Sequence, residues 1–253
     1  MSSTPTHIPT PTQTQTQTPT QTDSSRPFRR AVASAVVAVS LLAVTVVVAP
    51  RADAAPARGR LTARTTTELA IYAERGDATP AATLPATTEF GTTRVVLVTK
   101  RVGAWAKVLL PERPNESTGW IRTAGVELRR VTDTVDVDLT ARTLTWRRGP
   151  DVVLTTPIAI GASDTPTPPG RFYITDLLDT PDGGGYGPFA IGLSAHSFTL
   201  SEFAGGDGQI GVHGTSDPSS IGQAVSHGCV RVPNDVITQL ATHLPLGTPV
   251  RVR

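Results

Sequence analysis

The segment AVSHGCVRVPN, residues 224–234, contains the only cysteine of the 253-residue chain, Cys229. His227 lies two residues before it, and His213 lies sixteen residues before it. A thiol with an ordinary pKa of about 8.5 is only slightly ionised at neutral pH, so a nucleophilic cysteine needs a base or a positive field. These residue types and spacings indicate nucleophilic catalysis by Cys229, with one of the two histidines as its base.

A nucleophile that attacks a carbonyl group also needs donors for the oxyanion that forms. Gly228 permits an unusual backbone conformation, so a tight turn at residues 226–229 can aim the amides of Gly228 and Cys229 at one point. Arg231, two residues further on, is a cation suited to binding a carboxylate. The segment therefore contains candidates for a nucleophile, an oxyanion site and an anion-binding group.

Simpler interpretations exist for each of these residues. A lone cysteine is most often a small buried apolar residue, and a single histidine is more often structural than catalytic. A metal site formed by His196, His213, His227 and Cys229 is conceivable, but the spacing matches no zinc-finger or zincin pattern. Asp217 could orient His213, although its position before a proline favours an Asx turn. His196 has no assigned role.

The combined pattern HGTSDPSSIGQAVSHGCVRVPN resembles the signature of the L,D-transpeptidase catalytic domain, the YkuD-like family. That signature is a histidine-glycine or histidine-serine pair, about a dozen residues, and then Ser/Thr-His-Gly-Cys, usually with an arginine or asparagine after one hydrophobic residue. The upstream TPTPPGRFYI and the order of the expected strands also agree. The resemblance covers residues 131–253.

The resemblance implies a role for each residue of the signature. His213 is expected to be the base, with its other ring nitrogen oriented by the backbone carbonyl of Gly214 rather than by a carboxylate. His227 is expected to shape the pocket. The amides of His227, Gly228 and Cys229 are the expected oxyanion donors.

The implied reaction is acyl transfer on the stem peptides of bacterial peptidoglycan. Cys229 would form a thioester with a tetrapeptide donor and release D-alanine, and the amine of an acceptor stem would resolve it into a 3→3 cross-link. Ser226 and Arg231 are expected to bind substrate, no metal or other cofactor is expected, and carbapenems are expected to acylate the thiol. The alternatives are an L,D-carboxypeptidase, attachment of another amine, a non-catalytic wall-binding module, and a secreted thiol protease.

The elements that must position these residues are mainly strands. TVDVDL alternates apolar and acidic residues, RTLTWRRGPDVVLTTPIAIG predicts a hairpin about Gly149 and Pro150, and TPTPPGRFYIT predicts a stiff loop that leads into a strand. Asn234 and Asp235 are expected to cap a short helix that ends near His243. The fold class predicted for residues 131–253 is mainly β, a YkuD-like β-sandwich or barrel with one or two short helices.

Residues 61–130 are predicted to form a separate small β domain. RVVLVTKRVGAWAKVLL favours two strands joined by a turn at residues 102–104. The run GAWAKVLLP to STGWIRT resembles bacterial SH3-like domains. Trp105 and Trp120 are expected in the core of this domain.

The first sixty residues are predicted to direct export rather than to fold. Residues 1–30 are Pro/Thr/Gln-rich, are expected to be disordered and end in a basic region. Residues 31–54 contain an uncharged apolar run and the small-x-small sequence Ala52-Asp53-Ala54, which predicts a cleaved signal peptide or a membrane anchor. Residues 55–60 form a linker. Both interpretations place the remainder in the periplasm or the extracytoplasmic cell wall.

Charge and cysteine content exclude some classes of protein. The net charge is +2, and the surplus lies in residues 1–54, so 19 basic and 19 acidic residues remain in 55–253. A formally neutral domain offers no electrostatic footprint for nucleic acid. One cysteine allows no intramolecular disulfide, and the protein is expected to be a monomer. Because a free thiol is a liability outside the cytoplasm, Cys229 is expected to have a function.

Overall fold

The computed structural model describes residues 59–181, 183–203 and 205–253. The predicted segments 1–30 and 31–54, and positions 55–58 of the predicted linker, lie outside these described residues. Within the described ranges, no helix combines the length and the apolar character that crossing a membrane requires.

Seven strands lie in the first part of the fold: β1 (Arg60–Arg64), β2 (Leu69–Ile71), β3 (Ala82–Leu84), β4 (Val95–Val102), β5 (Trp105–Leu109), β6 (Thr118–Arg122) and β7 (Glu127–Val131). Five of them form an antiparallel sheet in the order β6-β5-β4-β1-β7, and β2 pairs with β3. The predicted turn between β4 and β5 is confirmed, because Gly103 adopts a φ of 56° there. The SH3-like assignment stays a prediction.

The two tryptophans of this sheet have different environments. Trp120 is buried, as predicted. The core prediction is wrong for Trp105, which is only half-buried. Its ring contacts the edge of Tyr72 and carries the guanidinium of Arg122 at 4.6 Å from its centroid. A cation over an aromatic face is stable at the solvent boundary, so Trp105 does not need full burial.

The second part of the fold holds ten strands and one α-helix: β8 (Asp133–Asp138), β9 (Thr143–Arg148), β10 (Asp151–Pro157), β11 (Ile160–Gly161), β12 (Gly170–Asp179), β13 (Phe189–His196), β14 (Gln209–His213), β15 (Ala224–Ser226), β16 (Val230–Arg231), α1 (Asn234–His243) and β17 (Pro249–Val252). Eight strands form one sheet in the order β10-β9-β8-β17-β12-β13-β14-β16, and β11 pairs with β15. The prediction of a mainly β fold with a short helix is confirmed.

Local sequence patterns account for several of these elements. In β8, Val135 and Val137 are buried and alternate with half-buried residues, as the TVDVDL pattern predicts. The β9–β10 hairpin turns at Gly149 and Pro150, as predicted. The bounds predicted for α1 are confirmed, but the capping prediction is wrong, because Pro233 occupies the N-cap position and no side chain caps the helix.

The two large sheets share a buried side chain. Tyr173 lies in β12 of the second sheet, yet its fully buried ring belongs to the hydrophobic core of the first sheet. Asn115 adds a polar contact, because its amide group exchanges two hydrogen bonds of 2.8 Å with the backbone of His196. The described residues fall into one compact unit. The predicted domain division at residues 130 and 131 therefore stays a prediction.

Tyr173 allows a direct test of this shared core. Tyr173→Ala should lower the free energy of unfolding by about 3–5 kcal/mol, because a large buried ring leaves a cavity. Tyr173→Phe should leave it unchanged or raise it, because the buried hydroxyl has no hydrogen-bond partner among the described residues. Urea unfolding of both variants measures these free energies. A loss above about 1 kcal/mol for Tyr173→Phe would contradict the assignment of the Tyr173 hydroxyl as a group without a hydrogen-bond partner.

Candidate active site

Strand pairing brings Cys229 beside the middle of β14. Cys229 immediately precedes β16, which pairs in parallel with β14, so that Val230 lies beside Val212 and Arg231 beside His213. The backbone N–H of Gly211 donates a hydrogen bond to Cys229 Sγ at 3.3 Å. Cys229 and His213 border the same two cavities. Residues sixteen positions apart in the sequence therefore meet through the parallel pairing.

His213 is held in one tautomer by the backbone. Its Nδ1 lies 2.6 Å from the carbonyl oxygen of Gly214. A carbonyl oxygen only accepts, so Nδ1 carries the proton and the lone pair is on Nε2. Burial lowers the His213 pKa to about 4, with the positive charge of Arg231 acting in the same direction and the Gly214 hydrogen bond opposing it. At neutral pH His213 is therefore an uncharged base.

Burial acts on the cysteine in the opposite direction. It raises the pKa of the Cys229 thiol above its ordinary value, while the Gly211 N–H and the Arg231 charge partly offset that effect. The thiol and the imidazole are both neutral at pH 7. The arrangement suits a proton transfer from sulfur to His213 that accompanies the attack on a substrate.

The turn that carries Cys229 is closed by Ser226. The Ser226 hydroxyl donates to the carbonyl oxygen of Cys229 at 2.5 Å and accepts from the N–H of Gly228 at 3.2 Å. The Gly228 amide, expected to face an oxyanion, is thus engaged inside the turn, and Ser226, expected to bind substrate, is buried there. The N–H groups of His227 and Cys229 have no acceptor among the described residues.

The loop at residues 165–169 is hydrogen-bonded to this turn. Thr167 Oγ1 donates to the carbonyl oxygen of Gly228 at 2.8 Å, and Thr165 Oγ1 donates to that of Ser226 at 3.1 Å. Gly228 has a φ of 120°, and an added Cβ would lie 2.8 Å from Ile210 Cδ1. The sequence predicts this loop as a stiff lead into β12 and as part of the family resemblance, but no local signal indicates its contact with a turn about sixty residues away.

Asn234 is a second residue that the sequence analysis assigned differently. Its Oδ1 accepts the N–H of Thr215 at 2.8 Å, and an added Cβ on Gly214 or Gly187 would collide with it. Asn234 thereby fixes the backbone at Gly214, whose carbonyl orients His213. An asparagine at the expected start of a helix predicted a helix cap, so the long-range contact had no sequence signal.

Two aromatic side chains from glycine-rich loops flank the pair. The Tyr186 ring meets the His213 ring edge-on, with centroids 4.7 Å apart, and Phe203 stacks on His227 at 5.2 Å. Burial, and then the charge of Cys229, raise the pKa of Tyr186. Both aromatic residues are partly exposed. They form a rim around Cys229 that the sequence analysis did not identify.

Cys229 and His213 border two cavities. The arginine cavity, about 210 Å³, is also bordered by Leu200, His227 and Arg231. The glutamate cavity, about 430 Å³, is also bordered by Glu89 and Phe90 from the segment between β3 and β4, and by Leu178, Ala190 and Ile191 of the second sheet. Both cavities therefore reach the thiol, and they share Tyr186, Phe203 and Ile210 as further lining residues.

His196 lies apart from this pair. It is buried, and its Nε2 is 2.9 Å from Asp207 Oδ2 in a separate polar cavity. In the described ranges, no group of three or more His, Cys, Asp or Glu side chains is placed to hold a metal ion.

Known proteins match the part of the chain that carries this site. Residues 132–252 match the family model described as YkuD, L,D-transpeptidase catalytic domain. The Bacillus subtilis protein named L,D-transpeptidase YkuD is 38% identical over 118 residues, which are 47% of this chain and 64% of that protein. The Salmonella typhimurium protein named L,D-transpeptidase ErfK/SrfK is 31% identical over 120 residues, 41% of this chain and 38% of that protein. A solved L,D-transpeptidase from Mycobacterium smegmatis has a TM-score of 0.40 and 17% identity, covering 63% of this chain and 90% of that one. The chain thus spans less than two thirds of these curated relatives.

The low pKa of His213 predicts a pH-dependent stability. Its folded pKa is about 4, whereas the unfolded chain has the ordinary value of about 6.5, so unfolding takes up a proton between these pH values. The contribution of neutral His213 to the free energy of unfolding is complete above about pH 6.5. It is lost as the pH falls toward 4, by as much as about 3 kcal/mol. Urea unfolding between pH 7 and pH 4 should therefore show a shallower loss for His213→Gln. The exposed His243→Gln serves as the control, and a wild-type slope for His213→Gln would contradict the assignment.

Asn234 is expected to act through His213. Asn234→Ala leaves the Thr215 N–H without its partner, which should lower the free energy of unfolding by about 1 kcal/mol. It should also shift the ring-nitrogen NMR signals of His213 toward a mixture of tautomers, because the Gly214 carbonyl loses its support. Asp235→Ala, the next position on α1, is the matched control. Unchanged His213 signals in Asn234→Ala would refute this positioning role.

Proposed function

We propose that residues 132–252, which match the family model of the YkuD L,D-transpeptidase catalytic domain, form 3→3 cross-links between peptidoglycan stem peptides through a Cys229 thioester. The observation that carries the proposal is the 2.6 Å hydrogen bond from His213 Nδ1 to Gly214, which leaves Nε2 as the base in the cavities that Cys229 borders. A neutral imidazole of low pKa beside a buried thiol is suited to acyl transfer.

The first half-reaction acylates the cysteine. Cys229 Sγ attacks the carbonyl carbon of the L-configured third residue of a tetrapeptide donor, and the thiol proton passes to His213 Nε2. The carbonyl oxygen becomes an oxyanion that accepts hydrogen bonds from the backbone N–H groups of His227 and Cys229, each worth about 3 kcal/mol in such sites. Collapse breaks the C–N bond, and His213 returns the proton to the departing amine of D-alanine.

The second half-reaction transfers the acyl group. The side-chain amine of an acceptor stem attacks the thioester carbonyl, and His213 accepts the proton that the amine loses. The new C–N bond forms, the C–S bond breaks, and the proton returns to Cys229. The thiol is thereby restored without any oxidant, metal or organic cofactor.

Arg231 is the proposed binding group for the donor. It borders the arginine cavity, and its half-buried side chain has an Nε without a hydrogen-bond partner in the described part of the chain. A guanidinium with free donors matches the terminal carboxylate of the donor stem. The Arg231 charge also helps to keep His213 neutral.

Peptidoglycan stem peptides, the proposed substrate, imply a location outside the cytoplasm. We propose that residues 31–54 direct export, as a cleaved signal peptide or as an anchor, and that the protein acts as a monomer in the extracytoplasmic cell wall. The first sheet corresponds to the proposed SH3-like domain.

The test is mass spectrometry of the purified protein incubated with a disaccharide-tetrapeptide. Wild type should produce cross-linked dimers that have lost one D-alanine, and Cys229→Ala should produce none, because no thioester can form. His213→Gln should slow acylation by about 10²–10⁴-fold, because the general base is lost. A carbapenem should add its mass to wild type only.

Other outcomes would replace the proposal. Tripeptide without dimers would mean that water is the acceptor and that the protein is an L,D-carboxypeptidase. Absence of both product and carbapenem adduct, in protein whose circular dichroism shows a folded β structure, would favour a wall-binding module. Cleavage of casein would indicate a thiol protease.

A further inference from the structure

The glutamate cavity is built by both parts of the fold. One wall comes from the hairpin between β3 and β4, whose tip at residues 88–91 places Glu89 and Phe90 at the cavity. Other walls come from β12, β13 and the glycine-rich loop that precedes β14. A hairpin of the first part therefore contributes side chains to a cavity that reaches the thiol of Cys229.

The hairpin is held in one conformation. The N–H of Thr88 donates to the carbonyl oxygen of Thr92 at 2.8 Å, and the N–H of Gly91 donates to that of Thr88 at 3.0 Å. The guanidinium of Arg94 donates to two further carbonyl groups of the same hairpin. Glu89 thus projects from a tip that the backbone already fixes.

The hairpin is also attached to the second sheet. Thr88 Oγ1 donates to Asp176 Oδ1 at 2.5 Å, and Asp176 is buried in β12. Tyr173, on the same strand, fills the core of the first sheet. These contacts hold the tip against the cavity, so the position of Glu89 relative to Cys229 is part of the fold.

The two cavities that meet at Cys229 have side chains of opposite charge. The arginine cavity has the cation Arg231, which suits the carboxylate of the donor stem. The glutamate cavity has the carboxylate of Glu89, which also borders the neighbouring polar cavity together with Asp176 and Asp207. Arg94 adds a positive charge to that polar cavity, where its guanidinium donates to the hairpin carbonyls, but it does not border the glutamate cavity.

The lining of the glutamate cavity suits an amine on an apolar chain. Phe90, Leu178 and Ile191 give it apolar walls, and its volume of about 430 Å³ exceeds what a water molecule needs. A primary amine is protonated at neutral pH, so the acceptor arrives as an ammonium cation. A carboxylate at the mouth attracts that cation, and the apolar walls contact its methylene chain.

We infer that the glutamate cavity is the entry site of the amine acceptor, with Glu89 as the residue that selects a cationic nucleophile. The inference rests on the proposed function, because it assigns one substrate of the second half-reaction to one cavity. The ammonium approaches past Glu89 and Phe90 and releases one proton to water. The neutral amine then attacks the thioester from this side, and His213 accepts the second proton, as in the second half-reaction. The donor stem occupies the arginine cavity.

The test separates acylation from aminolysis. The acyl-enzyme is formed from the disaccharide-tetrapeptide and is then mixed with Nα-acetyl-lysine amide, a cationic amine, or with hydroxylamine, a nucleophile that is neutral at pH 7. Glu89→Gln should lower kcat/KM for the cationic amine by about threefold to tenfold at low salt. Hydroxylamine and the rate of D-alanine release should be unaffected. The difference should disappear at about 1 M salt, where charges are screened within a few ångströms.

Matched variants make the result specific. Glu68→Gln changes the net charge equally at an exposed site that borders neither cavity, and it should behave as wild type. Glu89→Lys should exceed the effect of Glu89→Gln in the same direction. Wild-type kcat/KM for the cationic amine in both Glu89 variants, with normal D-alanine release, would overturn the inference and leave the proposed function intact. No acyl-enzyme in wild type would instead refute the proposed function.

Discussion

The hydrogen bond between His213 Nδ1 and the carbonyl oxygen of Gly214 is the contact on which the rest of the site depends. It fixes the tautomer, and it does so without placing a second charge beside the ring. Burial lowers the His213 pKa, and the neutral Gly214 carbonyl opposes that lowering less than a carboxylate would, because it adds no negative charge that stabilises the protonated form. The surrounding packing follows from this requirement: Asn234 holds the backbone at Gly214, and Gly187 leaves the space that Asn234 needs.

Burial has the same effect on the nucleophile and on the base, because it disfavours the charged form of each. It disfavours the thiolate of Cys229 and the imidazolium of His213 alike, so the resting pair is uncharged. Charge then develops only when a substrate carbonyl is attacked. The turn at residues 226–229 presents backbone N–H groups that can stabilise that charge. The Ser226 hydroxyl closes the turn through hydrogen bonds with Cys229 and Gly228. The N–H groups of His227 and Cys229 have no protein acceptor in the described chain.

The two sheets form a continuous structure around this pair. The core of the first sheet includes Tyr173 of the second, and Thr88 of the hairpin is bonded to Asp176 of the same strand. A side chain that fills a neighbouring core fixes the spacing between sheets more firmly than surface contacts do, because cores are closely packed. The hairpin tip therefore occupies a defined place at the cavity, which Glu89 borders.

The sequence by itself determined the mainly β class, the hairpin at Gly149, and the pairing of Cys229 with a histidine, because these follow from alternation, turn chemistry and a specific local signature. It failed where a residue has a distant partner. The helix-cap assignment of Asn234 and the core assignment of Trp105 both rested on local propensity, and long-range contacts overrode it. Only the tertiary structure decided which groups surround the thiol, including Glu89, because strand order and the packing of two sheets set distances that no spacing along the chain encodes.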